Sequence, residues 1–437
     1  MPPHTTEPSG DAPGLPVGTL EVEVLEGPDS GLQKVASSEH LTIGTADGND
    51  LVLTDPTVSR YHLELVRGSE GVRVLDHGST NGTAFEGARL EQAVVPAGSL
   101  LRIGRTTVRL GEGNRVTVEL HDSDEYAGLI GRTPAMRRLM AQARRAARSD
   151  TPVLVVGESG TGKELLATAL HHEGPRAKGP FVTVDCGALS PALVASELFG
   201  HEKGAFTGAD RQHVGAFERA QGGTLFLDEI GELSPTLQAT LLGALERRRF
   251  RRVGGRAEVE VNVRVLCATN RDLRADVNAG TFRLDLYYRV AVVALRIPPL
   301  RERAEDVPLL VEHFVREAGV DGPIEHVVTA DTMSALCTHH WPGNVRELRN
   351  VVEAMLVMGE PPPLDDGIAG SARAGDTSDR LLAMSYKDAR GQVLQDFESR
   401  YLARLMERSR GNVSEAARQA RMDRTYLIKL LARHGLK

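Results

Sequence analysis

A glycine-rich turn with a lysine is the first stretch whose residues could do chemistry. In "VLVVGESGTGKE" an apolar run leads into a turn with the spacing G-x4-G-K. Backbone N–H groups of such a turn point at an anion, and the lysine adds positive charge toward the outer phosphates. Glu164 stands where a Ser or Thr hydroxyl would usually bind Mg²⁺. The predicted nucleotide-binding residues are Gly157, Glu158, Ser159, Gly160, Thr161, Gly162, Lys163 and Glu164.

A pair of carboxylates ends the apolar run in "GGTLFLDEI". Asp228 suits Mg²⁺ coordination, and Glu229 suits activation of an attacking water. An isolated pair of this kind more often caps the next helix. Its place about 65 residues after Lys163 favours a catalytic role in nucleotide hydrolysis.

Four more polar residues are candidates for the same chemistry. Asn270 ends the run "VRVLCATN", where the γ-phosphate and water would lie. Arg283 and Arg289 in "FRLDLYYRV" could meet the charge that develops during phosphoryl transfer, in which an arginine often comes from a neighbouring subunit. Arg346 in "WPGNVREL" could sense nucleotide from a helical segment. The alternative for any single arginine is a surface salt bridge.

These residues need a parallel sheet to bring them together. The runs "VLVVG", "FVTVD", "TLFLDEI" and "VRVLCATN" alternate with helical patterns such as "KELLATALHH". This alternation predicts an α/β core over residues 128–298, with helices on both faces of the sheet. After Pro298 and Pro299 the pattern is helical only, which predicts a helical lid over 299–359.

The N-terminal part has the pattern of β-structure. Residues 1–18 are rich in Pro, Gly and Thr and are predicted to form a disordered tail. Alternation in "LEVEVLE" and several short apolar runs with turn residues between them predict an all-β sandwich over 19–112. A polar, acidic linker is predicted over 113–127.

The C-terminal part is basic. A linker over 360–380 precedes an all-α module, 381–437, with 12 basic and 6 acidic residues in a chain of net charge −7. Val413, Ala416, Ala417 and Ala420 form one apolar face, and Leu427, Leu430 and Leu431 form another. Two short helices predict a helix-turn-helix on double-stranded DNA, with a hairpin for oligomerisation as the alternative. The predicted DNA contacts are Arg421, Arg424, Thr425, Ile428 and Lys429.

Composition excludes several classes of protein. Cys186, Cys267 and Cys337 are far apart and lack CxxC spacing, which argues against a disulfide framework or an ordinary zinc site. The sequence begins without a signal-peptide pattern and has no apolar run near ~18 residues. We therefore expect a cytoplasmic protein without membrane contact.

The central motifs resemble those of one family. "GESGTGKE", "ELFGHEKGAFTGA", "GGTLFLDEI", "FRLDLYYRV" and "WPGNVREL" occur in order between about Leu129 and Met358. The segment resembles the AAA+ domain of bacterial enhancer-binding proteins, the NtrC-like activators of sigma-54 RNA polymerase. In that family Glu is usual at position 164, and the resemblance implies ATP, Mg²⁺ and a homo-oligomer from dimer to hexameric ring. Asp185 is a departure, because many members have an Asn there that couples the catalytic Glu to the remodelling loop.

The stretch "GAFTGA" is the second feature that this resemblance explains. It has neither helical nor strand periodicity, and its glycines make the backbone flexible, so we expect a surface loop. The resemblance implies that this loop grips sigma-54, with Phe206 as the apolar contact and Thr207 as the polar one. The implied contact residues are Gly204, Ala205, Phe206, Thr207, Gly208 and Ala209.

The two ends resemble known modules as well. "LTIGTADGNDLVLTDPTVSRYHLEL" and "DHGSTNGTAFEG" resemble a forkhead-associated (FHA) domain, and "RGNVSEAARQARMDRTYLIKLLARHGLK" resembles a Fis-type DNA-binding module. The FHA resemblance implies that Ser59 and Arg60 hold a phosphothreonine and that His62 braces the loop. It also implies that Thr80 and Asn81 hold the peptide backbone.

One FHA position departs from the pattern. Thr45 replaces a phosphate-binding Arg, a loss of about 1.5–3 kcal/mol of binding that Arg60 offsets in part. The partner would be a phosphothreonine protein or a Ser/Thr kinase. A fold kept for protein contact is the alternative.

The sequence as a whole predicts an ATP-dependent transcriptional activator. It would bind DNA upstream of promoters, oligomerise and remodel the closed complex of sigma-54 RNA polymerase. The alternatives are an AAA+ remodeller of another protein and a DNA-binding regulator that does not hydrolyse ATP.

Overall fold

A computed structural model describes residues 14–359, except 69, 189, 321, 325 and 326, together with positions 362, 364, 413, 427 and 431. The chain divides into two compact units, Met1–Pro362 and Pro363–Lys437. In the second unit Leu427 and Leu431 are helical and fully buried, in agreement with the predicted apolar stripe. The predicted DNA contacts lie outside the described residues: Arg421, Arg424, Thr425, Ile428 and Lys429.

The N-terminal part is a β-sandwich, as predicted. Its two sheets have the orders β2-β1-β11-β10-β7-β8 and β4-β3-β5-β6-β9. The strands are β1 Gly14–Glu26, β2 Gln33–Val35, β3 His40–Gly44, β4 Leu51–Val52, β5 Leu63–Arg67, β6 Val72–Asp76, β7 Thr83–Phe85, β8 Ala88–Leu90, β9 Gln92–Val95, β10 Leu100–Ile103 and β11 Thr106–Glu119.

The alternation of the sequence decides which residues form the sandwich core. Leu20, Val22 and Val24 of β1 are buried, whereas Glu21 and Glu23 between them are not. Strand β1 pairs with β11 in antiparallel fashion from Gly14 opposite Glu119 onward. The β-structure therefore extends beyond the predicted domain limits of 19 and 112, since each of these strands supplies hydrogen-bond partners to the other.

A hairpin, β12 Glu125–Tyr126 and β13 Leu129–Ile130, leads into the α/β core. Its five-stranded sheet is parallel, in the order β15-β16-β19-β14-β20. The strands are β14 Val153–Val156, β15 Phe181–Asp185, β16 Thr224–Asp228, β19 Arg264–Thr269 and β20 Val293–Arg296, and β17 Arg249–Arg251 with β18 Glu258–Glu260 form a separate hairpin. The helices are α1 Pro134–Ala147, α2 Lys163–His172, α3 Pro191–Phe199, α4 Ala216–Arg219, α5 Pro235–Arg247, α6 Leu273–Ala279 and α7 Leu284–Val290.

The segment after the sheet is helical, as predicted for the lid. A 3₁₀ segment, Leu300–Asp306, precedes α8 Val307–Glu317, α9 Ala330–Thr338 and α10 Asn344–Met358. The lid packs around Trp341, which is buried and donates its indole N–H to the carbonyl of Leu336. The fold class, a β-sandwich followed by an α/β ATPase-type core with a helical lid, is confirmed over the described part of the chain.

Candidate nucleotide site and its neighbouring surfaces

The glycine-rich turn lies where β14 ends and α2 begins, as predicted. Gly160 and Gly162 have φ of 78° and 106°, a left-handed conformation that a side chain would strain. A Cβ at Gly160 would stand 2.2 Å from the carbonyl oxygen of Gly343 in the lid. The turn needs glycine at this position because the lid backbone approaches it so closely.

Lys163 opens α2 and is buried. Its ammonium donates to the carbonyl of Gly157 at 3.1 Å and to Oε1 of Glu229 at 3.0 Å. The two residues that the sequence assigned to phosphate binding and to water activation therefore form an ion pair. This arrangement neutralises both charges inside a partly buried site.

The carboxylate pair lies at the carboxyl end of β16. Glu229 has φ of +49°, a strained conformation for a residue with a side chain, and its Oε2 accepts the backbone N–H of Asn270 at 3.0 Å. Asn270 therefore reaches Glu229 through its main chain. Burial, followed by the charge of Glu229, raises the pKa of Asp228. A cation beside Asp228 would remove that penalty, so the carboxylate oxygens fit Mg²⁺.

Asp185 ends β15 directly opposite Asp228 in the parallel register. Its Oδ1 accepts the backbone N–H groups of Gly187 at 2.8 Å and Ala188 at 3.1 Å. The negative charge of Asp185 adds a smaller contribution to the raised pKa of Asp228. The charge of Asp185 therefore acts on Asp228 of the carboxylate pair.

The lid contacts the glycine-rich turn through Arg346 and two residues that the sequence interpretation missed. Arg346 donates to Ser159 Oγ at 3.1 Å. Asn344 donates to Glu158 Oε2 at 3.2 Å, and Arg301 forms a bidentate ion pair with the same carboxylate at 2.6 and 2.8 Å. The sequence did contain a clue to Asn344, which directly follows the turn "WPG". Asn tolerates the left-handed φ of +52° that this residue has there.

Arg283 lies directly before α7, and Arg289 lies in its last turn. Arg283 forms a bidentate pair with Asp285, with distances of 3.0 and 2.7 Å, and Arg289 donates to the carbonyl of Leu245 at 3.0 Å. Both arginines are exposed. The hydrogen bonds described for them do not lead to the glycine-rich turn or to Glu229 of the same chain, so within one subunit the structure does not bring them to the site.

The predicted contact loop, residues 204–209, follows α3 and closes on itself. Gly204 N–H donates to the carbonyl of Ala209 at 2.8 Å, and Ala209 is buried. Phe206 and Thr207 at the tip are exposed, and the Phe206 ring rests edge-on against His201 at 4.9 Å between centroids. The loop thus presents one apolar and one hydroxyl side chain to the outside.

The candidate phosphopeptide residues meet at one end of the sandwich. Ser59 Oγ accepts the N–H of Thr80 at 3.0 Å, and Asn81 donates to the carbonyl of Thr57 at 2.8 Å. His62 is buried, and its Nδ1 accepts the N–H of Ser59 at 3.0 Å. Burial lowers the pKa of His62, which keeps the ring neutral and able to accept this bond.

Arg60 contacts helix α6 of the α/β core. Its guanidinium donates to the carbonyl of Val277 in α6 at 3.4 Å, a long hydrogen bond. The charge expected to offset the missing Arg at Thr45 is therefore directed at another part of the chain.

The described residues contain neither a cluster of three or more His, Cys, Asp or Glu side chains able to hold a metal ion nor a helix able to cross a membrane. Cys186, Cys267 and Cys337 are free thiols.

Comparison with known proteins gives three family matches. Residues 129–296 match the family described as "Sigma-54 interaction domain", residues 301–365 match "AAA+ ATPase lid domain", and residues 23–114 match "Inner membrane component of T3SS, cytoplasmic domain".

Several relatives are similar over half of the chain or more. The transcriptional regulatory protein GlrR of Escherichia coli K12 is 45% identical over 309 residues, which cover 70% of this chain and 68% of GlrR. The Nif-specific regulatory protein of Azotobacter vinelandii is 55% identical over 232 residues, covering 53% of this chain and 44% of that protein. The crystal structure of NtrX from Brucella abortus in complex with ATP is 35% identical, covers 72% of this chain and 70% of its own, and has a TM-score of 0.52.

Proposed function

This chain belongs to the sigma-54-dependent AAA+ transcriptional activators, and we propose that it hydrolyses ATP to remodel the closed complex of sigma-54 RNA polymerase. The observation that carries the proposal is Glu229, held between the ammonium of Lys163 and the N–H of Asn270. A glutamate in this position at the carboxyl end of a parallel sheet can accept a proton from water that attacks a bound γ-phosphate.

The ion pair of Lys163 and Glu229 suggests how ATP binding would prepare the site for hydrolysis. Glu229 and an incoming phosphate would compete for the single ammonium of Lys163, and the phosphate bears more negative charge than the carboxylate. Phosphate binding at Lys163 would displace Glu229 Oε1 and leave that oxygen free for water. The backbone N–H groups of the turn would hold the phosphate chain, and Ser159 and Arg346 would report on its presence to the lid.

Asp228 is the residue that would hold Mg²⁺, which neutralises phosphate charge when bound. Its raised pKa and its half-buried position support this role, because the carboxylate has few favourable partners of its own. Glu164 follows Lys163 in the first turn of α2, where many phosphate-binding loops place a hydroxyl. Asp228 is therefore the side chain we assign to the metal.

Energy from hydrolysis would reach sigma-54 through the loop 204–209. The exposed Phe206 and Thr207 support this, since a bare aromatic ring on a glycine-flanked surface loop fits contact with another protein. Arg283 and Arg289 are exposed on α7 and would complete a neighbouring subunit's site in a homo-oligomer, up to a hexamer. Residues 421–429 would bind upstream DNA, and such work on promoters takes place in the cytoplasm.

The FHA domain would receive the signal as a phosphothreonine peptide. The hydrogen-bonded cluster of Ser59, Thr80 and Asn81 supports this, because it presents hydroxyl, amide and backbone groups at one loop end. The partner would be a protein phosphorylated by a Ser/Thr kinase.

The test is transcription in vitro from a promoter that requires sigma-54, with full-length protein and either ATP or a non-hydrolysable ATP analogue. We expect open complexes on the sigma-54 promoter with ATP but not with the analogue. On a sigma-70 promoter we expect the protein to have no effect. ATP hydrolysis without any open complex on sigma-54 promoters would instead favour a remodeller of another protein.

A further inference from the structure

The loop end of the FHA sandwich packs against helix α6 of the same chain. Asn278 lies at the centre of this contact, donating to the carbonyl of Tyr61 at 2.6 Å and to the carbonyl of His77 at 2.9 Å. Its Oδ1 accepts the N–H of Tyr61 at 3.3 Å. One side chain thus binds both loops that carry the candidate phosphopeptide residues, since Tyr61 follows Arg60 and His77 lies shortly before Thr80.

Charged pairs surround Asn278. His77 Nδ1 lies 2.6 Å from Asp272 Oδ2, and Arg274 donates to Glu64 Oε2 at 2.7 Å. Glu64 is largely buried, so its charge depends on its basic neighbours. These complementary charges make the contact specific for α6.

Arg60 connects this contact to phosphate binding. Its guanidinium donates one hydrogen bond to the Val277 carbonyl of α6, and the resemblance to FHA domains assigns the same guanidinium to a phosphate at Ser59. The bond to Val277 is long and has an uncharged acceptor, so a phosphate would be the stronger partner. Turning Arg60 toward such a phosphate would give up its bond to α6.

Gly78 shows how near α6 lies to the turn that carries Thr80. It lies between His77 and the Ser79–Asn81 turn, and a Cβ placed on its backbone would meet the Ala275 side chain of α6 at 3.8 Å. The surface beside Thr80 is therefore lined by α6 as well as by the sandwich.

We propose that α6 and a phosphothreonine peptide compete for the Ser59–Tyr61 loop, so that the FHA domain releases α6 when it binds peptide. The proposal rests on the phosphopeptide part of the proposed function. By linkage, the free energy that holds α6 in place is subtracted from peptide binding, and weakening the contact must raise peptide affinity by the same factor.

The experiment uses full-length protein and a fluorescent nonapeptide mixture with a central phosphothreonine and randomised flanks, titrated by anisotropy. Asn278→Ala removes the central side chain, and Asp272→Asn removes one charge while its side chain can still cap α6. Asn114→Ala, at an exposed position of β11, is the matched control. The same mixture without phosphate measures binding that does not depend on phosphorylation.

We expect Asn278→Ala to lower the Kd at least fivefold, Asp272→Asn to lower it less, and Asn114→Ala to leave it unchanged. Hydrogen exchange over residues 272–290 should speed up when the unmodified protein is saturated with phosphorylated peptide. The competition would be overturned by equal Kd values in the unmodified protein and all its variants, or by a higher Kd in Asn278→Ala. Unchanged exchange at saturation would overturn it as well. Each of these results would leave phosphopeptide binding intact. Failure of every protein to bind would overturn both the competition and the phosphopeptide role.

Discussion

The ATP site and the proposed phosphopeptide face of the β-sandwich would both bind phosphate, yet their cations have different kinds of partner. In the ATP site Lys163 is paired with Glu229, so phosphate binding at Lys163 would free the carboxylate that we propose activates water. In the β-sandwich Arg60 is bonded to α6 of the α/β core, so phosphate binding there would free a surface under our proposal. On these proposals one chain would use phosphate for chemistry at one site and for release of α6 at another.

Removal of the carboxylate at the ATP site should have the largest effect. Glu229→Gln keeps the shape of the side chain but loses the proton acceptor, so we expect kcat for ATP hydrolysis to fall by about 10²–10⁴-fold. Steady-state phosphate release measures this. Glu232→Gln, at an exposed position shortly after Glu229, should retain full activity; an equal loss in both variants would refute the role of Glu229.

Adding an arginine at position 45 of the proposed phosphopeptide face should have the next largest effect. Thr45→Arg adds a charge-assisted contact of about 1.5–3 kcal/mol, which corresponds to roughly 10–150-fold tighter binding of phosphothreonine peptide. Isothermal titration of the full-length variant measures it. Ala97→Arg adds the same charge at an exposed turn and should not change the affinity. Unaltered binding in Thr45→Arg would count against a phosphate site beside Ser59.

The lid contact should have a smaller effect on the ATP site. Arg346→Ala removes a hydrogen bond to Ser159 Oγ worth about 1 kcal/mol, so kcat/KM for ATP should fall by about fivefold. Arg349→Ala on the same helix removes an exposed pair with Glu353 and serves as the control. A larger loss in Arg349→Ala than in Arg346→Ala would contradict sensing by Arg346.

Much of the ATP site could be predicted from sequence because each group follows a strand directly. The glycine-rich turn, Asp228 and Glu229 lie at the ends of β14 and β16, and parallel strands bring such ends to one edge. Asn278 could not be found in this way, because its partner Tyr61 is 217 residues away and nothing local marks either residue. The contact of Asn270 with Glu229 could not be predicted either. Asn270 donates its backbone N–H, and the residue type does not reveal a main-chain donor.

The contact between the β-sandwich and α6 should depend weakly on pH. Burial opposes the charge on His77, but its hydrogen bonds to Asp272 and Glu64 outweigh this effect and raise the pKa of His77 above its ordinary 6.5. The contribution of His77 is therefore full below pH 6.5 and is lost as pH rises through the raised pKa. The pKa of Glu64 is lowered despite its burial, so its contribution is lost only well below pH 4.5.

We therefore expect hydrogen exchange over residues 272–290, corrected for its intrinsic pH dependence, to show weaker protection at about pH 8.5 than at about pH 6. His77 faces Glu64 and Asp272 as well as Arg274 and, more distantly, His62, so the change reports on that group as a whole. Asp272→Asn should flatten the profile. An unmodified protein with the same protection at both pH values would contradict the role of the His77 pair.

The coupling of ATP hydrolysis to promoter opening is best measured by following both together in Thr207→Ala, with Thr240→Ala on α5 as the exposed control. We expect Thr207→Ala to hydrolyse ATP at the normal rate and to form few or no open complexes on a sigma-54 promoter, whereas Thr240→Ala does both. Open complexes formed by Thr207→Ala at the full rate while ATP is consumed would show that the loop 204–209 does not transmit the energy of hydrolysis.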